Sequence, residues 1–304
     1  LVGSEMCIRD RLYTMVDTMV VGQIAGVEAL AALGAVDFLM WVVTGISTGL
    51  TQGFSIQLSQ YYGAKDFENL RKSLAHSYRL TAFIAAGVLI LSQSFASLVL
   101  TGLHTPSNII GMSLLYLRII FCGIPATAAY NMFASALRAM GNSKTPLTAM
   151  IIASVLNVSL DILFVAGLGW GVAGAAIATV IAQSFSAVYC FLILRRIDIV
   201  HLTRADFMPA SGMNARLMKL GIPVVFQNII IGVGGLVVQY VINGYGFLFV
   251  AGFTATNKLY GLLEMAAISY GYAIVTYVGQ NLGAGKIDRI RKGVRSSMLL
   301  SLLT

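Results

Sequence analysis

The chain carries one apolar run after another, several close to or beyond the roughly 20 residues that a helix needs to cross a bilayer. Nothing else in the sequence restricts the fold as strongly. Inside hydrocarbon no water satisfies backbone N–H and C=O groups, so only helices and closed barrels can span it. A barrel would read as alternating strands of about ten residues, whereas the runs here are continuous. Only 11% of the residues are charged, against roughly a quarter in soluble domains. An all-α polytopic membrane protein is expected.

Nine helices are expected in order. They run over Leu12–Gly26, Ala29–Tyr61, Leu74–Leu103, Ile109–Leu137 (kinked at Pro125), Pro146–Ala166, Val172–Leu194, Leu217–Asn243, Phe247–Leu282, and onward from about Ile290. Residues 1–11 are polar, resemble translated sequencing adapter, and are set aside as a non-native leader. The last residues stop inside an apolar run, so both ends are expected to cut through helices.

The basic residues sort by side. Lys65, Arg71 and Lys72 follow the second helix, and Arg138 and Lys144 follow the fourth. Arg195, Arg196, Arg204, Arg216 and Lys219 follow the sixth; Lys286, Arg289, Arg291, Lys292 and Arg295 follow the eighth. The intervening loops near Val27, 101–108, 167–171 and 244–246 carry no Lys or Arg. The positive-inside rule then places the basic loops in the cytoplasm; the expected location is the plasma (inner) membrane. The +8 net charge is therefore topology, and nucleic acid is not an expected partner.

Cys7, Cys122 and Cys190 are scattered, and His76, His104 and His201 form no ligand motif, so no structural metal is expected. No nucleophile with a placed base and no His-Glu-x-x-His pattern appears, which argues against a membrane enzyme. A channel would leave the internal repeat, described next, without a role.

Gln60-Tyr-Tyr-Gly63-Ala64 recurs 220 residues later as Gln280-Asn-Leu-Gly283-Ala284. The same offset pairs Arg71-Lys72 with Arg291-Lys292, Gly26 with Gly246, and Asp37 with Asn257. A repeat of six helices keeps its orientation. Two parallel six-helix lobes related about the membrane normal follow, as in transporters. The expected division is a first lobe over 12–195, a cytoplasmic linker over 196–219, and an incomplete second lobe over 220–304.

Polar residues inside apolar helices mark the functional region, Thr145–Ala182. Asn157 and Asp161 lie four residues apart, on one helical face. A charge in a low-dielectric interior loses its hydration, so an intramembrane aspartate is a functional candidate by default. The plainer alternative is a buried acid that only holds helices together.

Several motifs together resemble the multidrug and toxic compound extrusion family, while the neutral Gln227 is similar to its DinF-like branch. They are Val16-Asp17-Thr18, the two Gln-x-x-Gly-Ala helix ends, Arg138-Ala-Met-Gly141-Asn-Ser-Lys-Thr-Pro146, Asn157-x-x-x-Asp161, and Gly171-Val-Ala-Gly174-Ala-Ala-Ile-Ala-Thr179. The resemblance implies a secondary antiporter that exports amphipathic, often cationic, small molecules or toxic metabolites in exchange for Na⁺ or H⁺. It implies no cofactor beyond that coupling ion, a monomer in the lipid bilayer, and a cation-coupling site at Asp17, Asn157, Asp161 and Thr179.

Depth agrees with that carry-over. At 1.5 Å per residue, Asp17, Asp161 and Thr179 lie about 14, 9 and 12 Å from the turns that end their helices. Their oxygens suit a hard cation, or two aspartates could share a proton. Tyr13, Asp37, Met150, Gln227 and Glu264 are candidate cavity or substrate residues. Gln227 is neutral where some members of the family carry an acid, which places coupling in the first lobe. The alternative reading is a lipid-linked oligosaccharide flippase of the same superfamily; the few membrane-embedded bases argue against it.

Overall fold

The computed structural model describes residues 21–303, and their side chains except at 258, 261–269 and 303. Residues 21–24 are helical. Then follow α1 (Val27–Gly34), α2 (Asp37–Gly63), α3 (Phe67–Gly102), α4 (Ile110–Cys122) and α5 (Ile124–Ala139). After them come α6 (Lys144–Asp161), α7 (Gly171–Arg195), α8 (Met213–Asn243), α9 (Phe247–Gly283) and α10 (Ile287–Leu303). No strand occurs among the described residues. The continuous span Val27–Gly63, α3, Lys144–Gly167, α7 and α8 are each long and apolar enough to cross a membrane; α4 and α5 together make a sixth span.

Local chemistry sets the boundaries. Asp66 caps α3 by accepting a hydrogen bond from the Asn69 backbone N–H at 3.1 Å. The fourth expected helix breaks at Gly123 into α4 and α5, which meet at 49°. Pro125 lacks an N–H, so the helical ladder weakens there. Gly123 also lets α7 approach: a Cβ at this position would lie 2.7 Å from Val180.

The basic loops gather at one end of the bundle. There Gln280 donates to the carbonyl of Ala139 at 2.8 Å, and the Arg138 guanidinium lies 5.6 Å from the centre of the Tyr272 ring. The loops without Lys or Arg meet at the other end. Asn243 donates to the Leu103 carbonyl at 2.8 Å, and His104 packs edge-on against Tyr240.

The two copies of the repeated motif also meet each other. A side chain on Gly63 would strike the Gln280 carbonyl, and one on Gly283 would strike the Gln60 carbonyl. At the opposite end a side chain on Gly34 would strike Thr254, which lies 220 residues on. Such reciprocal contacts are what a two-fold relation between the repeats produces. α9 thus meets α2 at one end of the bundle and α1 at the other.

The most extensive helix contact joins α2 to α8. Its seam is Gly45-x-x-x-Gly49-x-x-x-Gly53, whose glycines lie against Asn228, Val225 and Gly221 of α8. Small residues at this spacing let two backbones approach closely, which drives association where lipid removes the hydrophobic incentive. The Asn228 amide donates to the Gly45 carbonyl at 3.0 Å and fixes the register.

The segment between α7 and α8, read from the sequence as a polar linker, is ordered by two short 3₁₀ turns, Asp198–Val200 and Arg204–Phe207. It docks on the basic end of α3. The buried His76 ring contacts Asn214 Oδ1 at 2.7 Å through Nδ1 and the Met208 carbonyl at 3.1 Å through Nε2. Arg79 donates to the Phe207 carbonyl at 3.0 Å, and Arg71 lies 3.8 Å from Asp206. His76→Leu removes both ring contacts and leaves the Met208 carbonyl without its donor. Trypsin should then cut at the exposed Arg204 about tenfold faster, the effect of about 1.4 kcal/mol on local opening. Unchanged cleavage would mean that the ring does not hold the segment.

Candidate functional site

Asn157 and Asp161 end α6, one helical turn apart, and neither side chain has any exposed surface. A fully buried carboxylate at membrane depth must be neutralised by a proton, a cation or a paired group. The Asn157 amide is equally buried, and neither its nitrogen nor its oxygen finds a hydrogen-bond partner among the described residues. Buried amides are nearly always satisfied, so an orphan of this kind marks a place for water or an ion.

The helix changes character immediately after Asp161. Residues Ile162–Gly167 form a π-helical turn, closed by Leu168 N–H donating to the Leu163 carbonyl at 2.9 Å. Such turns are uncommon and appear often at functional sites. Beyond it the chain reverses, Phe164 stacks on Trp170 with centroids 5.1 Å apart, and α7 begins.

The register of α7 against α6 follows from two points. Near the turn, a Cβ on Gly174 would lie 2.9 Å from that of Phe164. Deeper, Met150 and Ala153 face Ala182 and Ser186 across a small cavity. Antiparallel packing between those points sets Asn157 level with Thr179. Thr179 is half-buried and donates to the Ala175 carbonyl at 3.0 Å, which leaves its oxygen able to accept.

Thr179, Met150, Tyr130 and Gln183 line that cavity, whose volume of about 20 Å³ admits one water or one bare cation. Gln183 went unnoticed in the sequence. It stands one turn beyond Thr179 on the same face, and its buried Oε1 also lacks a partner among the described residues. The signal was there as a Thr-x-x-x-Gln pair in an otherwise apolar helix.

The other sequence-predicted residues scatter. Asp37 is half-buried in the first turn of α2. Gln227 is exposed on α8, beside the Asn228 that bonds to Gly45. Tyr13 and Asp17 lie outside the described residues, and so does the side chain of Glu264, whose backbone belongs to α9. Among the described residues no three His, Cys, Asp or Glu side chains cluster as metal ligands.

The site therefore consists of neutral oxygens and a buried carboxylate between two apolar helices of a bundle with an internal repeat. The MatE family model matches residues 8–163 and 223–304, well over half of the chain. The chain belongs to the MatE family. The probable multidrug resistance protein YpnP of Bacillus subtilis (strain 168) is 30% identical over 278 residues, which cover 91% of this chain and 62% of that protein. A FAD transporter of Shewanella oneidensis is 26% identical, over 95% of this chain and 64% of that protein. A solved structure of MATE in the straight conformation shares 20% identity and the fold, with a TM-score of 0.84 over 99% of this chain and 68% of that one. The chain thus spans a little under two thirds of the length of the curated MatE relatives it matches. MatE proteins are transporters and not enzymes, and this chain has the apolar helices of a multi-pass membrane protein.

Proposed function

We propose that this MatE chain belongs to a secondary antiporter that exports amphipathic, cationic small molecules in exchange for Na⁺ or H⁺. The observation that carries the reading is the buried pair Asn157 and Asp161, level with Thr179, with orphaned amide oxygens on Asn157 and Gln183. Amide, hydroxyl and carboxylate oxygens gathered on the facing helices suit a hard cation, and the carboxylate alone suits a proton. Asp17 supplies the second charge of the site in this reading. The relatives named for multidrug resistance favour small-molecule export over flipping of a lipid-linked oligosaccharide.

The moving parts are a first lobe over 12–195 and a second beginning at 220, joined by 196–219. The reciprocal contacts of Gly63 with Gln280 and Gly283 with Gln60 support that division. Cation and drug favour different arrangements of the lobes, so each lowers the affinity for the other by the same factor. The protein acts as a monomer in the plasma membrane, with the basic loops in the cytoplasm.

Transport of a fluorescent cation into proteoliposomes, with Na⁺ and pH gradients imposed separately, tests the function. Uptake that ignores both gradients would overturn it. Orientation is tested by single cysteines at Gly169 and Ser211, both exposed, in a background lacking the exposed Cys122 as well as Cys7. A membrane-impermeant maleimide added to intact cells should label position 169 and spare position 211. Equal labelling would refute the topology.

A further inference from the structure

Arg118 stands alone. It projects from the middle of α4, exposed, and no described carboxylate or hydrogen-bond acceptor contacts its guanidinium. Eight residues separate it from the start of α4, which puts it about 12 Å inside the end of the bundle that lacks basic loops. A charge at that depth is costly and calls for a partner. Its surroundings are lipid-facing, since Ile90, which shares its groove, and Leu115, about one turn away on α4, are both exposed. α4 packs on α1, α3, α5 and, most extensively, α7.

Arg118 borders an open groove of about 690 Å³ between α3 and α4, shared with Gln93, Ser94 and Cys122. Gln93 donates to the Arg118 carbonyl at 2.8 Å and to Cys122 Sγ at 3.2 Å, which ties the two helices together at this depth. The groove continues towards the basic end. Leu89 lines both it and a recess of about 390 Å³ between α3 and α5. Alanines 82, 85 and 86 on one wall and 128 and 129 on the other keep that recess open, below the bend at Gly123.

A cationic, polar mouth that leads into an alanine-walled slot matches an anionic head attached to an acyl chain. We propose that this flank binds an anionic phospholipid of the leaflet at the end without basic loops. Its phosphate pairs with the Arg118 guanidinium, which snorkels towards the head-group level. One acyl chain lies past Leu89 into the alanine recess. The pairing is a charge-assisted contact at low dielectric, the setting in which a guanidinium–phosphate pair is strongest.

The test uses the whole transporter purified in mild detergent and exchanged with equimolar phosphatidylglycerol and phosphatidylcholine. Native mass spectrometry then counts the retained lipid. The wild type should retain phosphatidylglycerol in preference by about tenfold, and Arg118→Gln should lose that preference. Arg118→Lys should keep most of it. Ala86→Phe, which fills the slot from an exposed position, should weaken retention of both lipids without changing their ratio. Preference that survives Arg118→Gln overturns the head-group assignment. Retention untouched by Ala86→Phe overturns the acyl-chain assignment. Glycerol phosphate that displaces the lipid as well as phosphatidylglycerol does would show a free-phosphate site in place of a lipid site. If Arg118→Gln fails to give monodisperse protein, Arg118→Leu, which suits the lipid-facing surface, takes its place and should lose the preference in the same way.

Discussion

Asp161→Asn should abolish gradient-driven export while the protein still folds. Asparagine preserves the shape of the side chain and removes both its charge and its proton. The carboxylate is fully buried one turn from Asn157, so the neutral variant loses the only charged oxygen on this face of α6. A charge-assisted contact of about 2.7 kcal/mol corresponds to about a 100-fold loss of cation affinity. Asp17→Asn should act similarly. Thr179→Ala removes one neutral oxygen and should cost about tenfold.

Asn157 separates a functional site from a structural one. Asn157→Leu replaces an orphaned buried amide with an apolar group of similar size, which by packing alone should be neutral or stabilising. If the amide holds a cation or its water, the same variant should melt no lower than wild type yet lose coupling. Thermal unfolding and proteoliposome uptake, measured side by side, distinguish the two. Coupling that survives both Asp161→Asn and Asn157→Leu would move the cation site elsewhere, with Glu264 the next residue to test.

Gly53→Leu should be the most damaging single change in the interface between α2 and α8. Even a Cβ at position 53 would run into the backbone of Gly221, and backbone cannot rotate away as a side chain can. The helices must separate along the whole Gly45–Gly53 seam, with the loss of the Asn228 bond to the Gly45 carbonyl. A cost of about 3 kcal/mol or more is expected from overpacking of this kind. Gly87, in α3, faces open space and serves as the control. Gly53→Leu should lower the melting temperature in detergent by several degrees relative to Gly87→Leu. Equal melting of the two variants would show that the seam carries no packing energy.

Much of this architecture can be read from residues close together in the chain. Helix lengths follow from apolar runs and a rise of 1.5 Å per residue, and the kink announced by Pro125 is present at Gly123. The grouping of the basic loops at one end of the bundle follows from where Lys and Arg fall. The shared face of Asn157 and Asp161 follows from their spacing of four. The Gly45-x-x-x-Gly49-x-x-x-Gly53 pattern was equally plain and was overlooked, because a glycine run in an apolar helix says nothing until its partner is known.

Features that depend on two distant segments were beyond that reach. The 220-residue repeat was visible, but not that Gly63 would sit on the Gln280 carbonyl and Gly283 on that of Gln60; that is a matter of how the halves face each other. The π turn after Asp161 arises where α6 must reverse and pack Phe164 on Gly174, and no local preference of Ile-Leu-Phe-Val-Ala-Gly announces it. The 196–219 segment looks like loose polar linker, yet the buried His76 on α3 supplies the partners that order it. Gln183 became a site residue only when α6 and α7 were brought into register. Propensity, hydropathy and charge act over a few residues and leave their trace in the sequence. Close packing and hydrogen-bond satisfaction act between surfaces, and each surface acquires its meaning from the one that meets it.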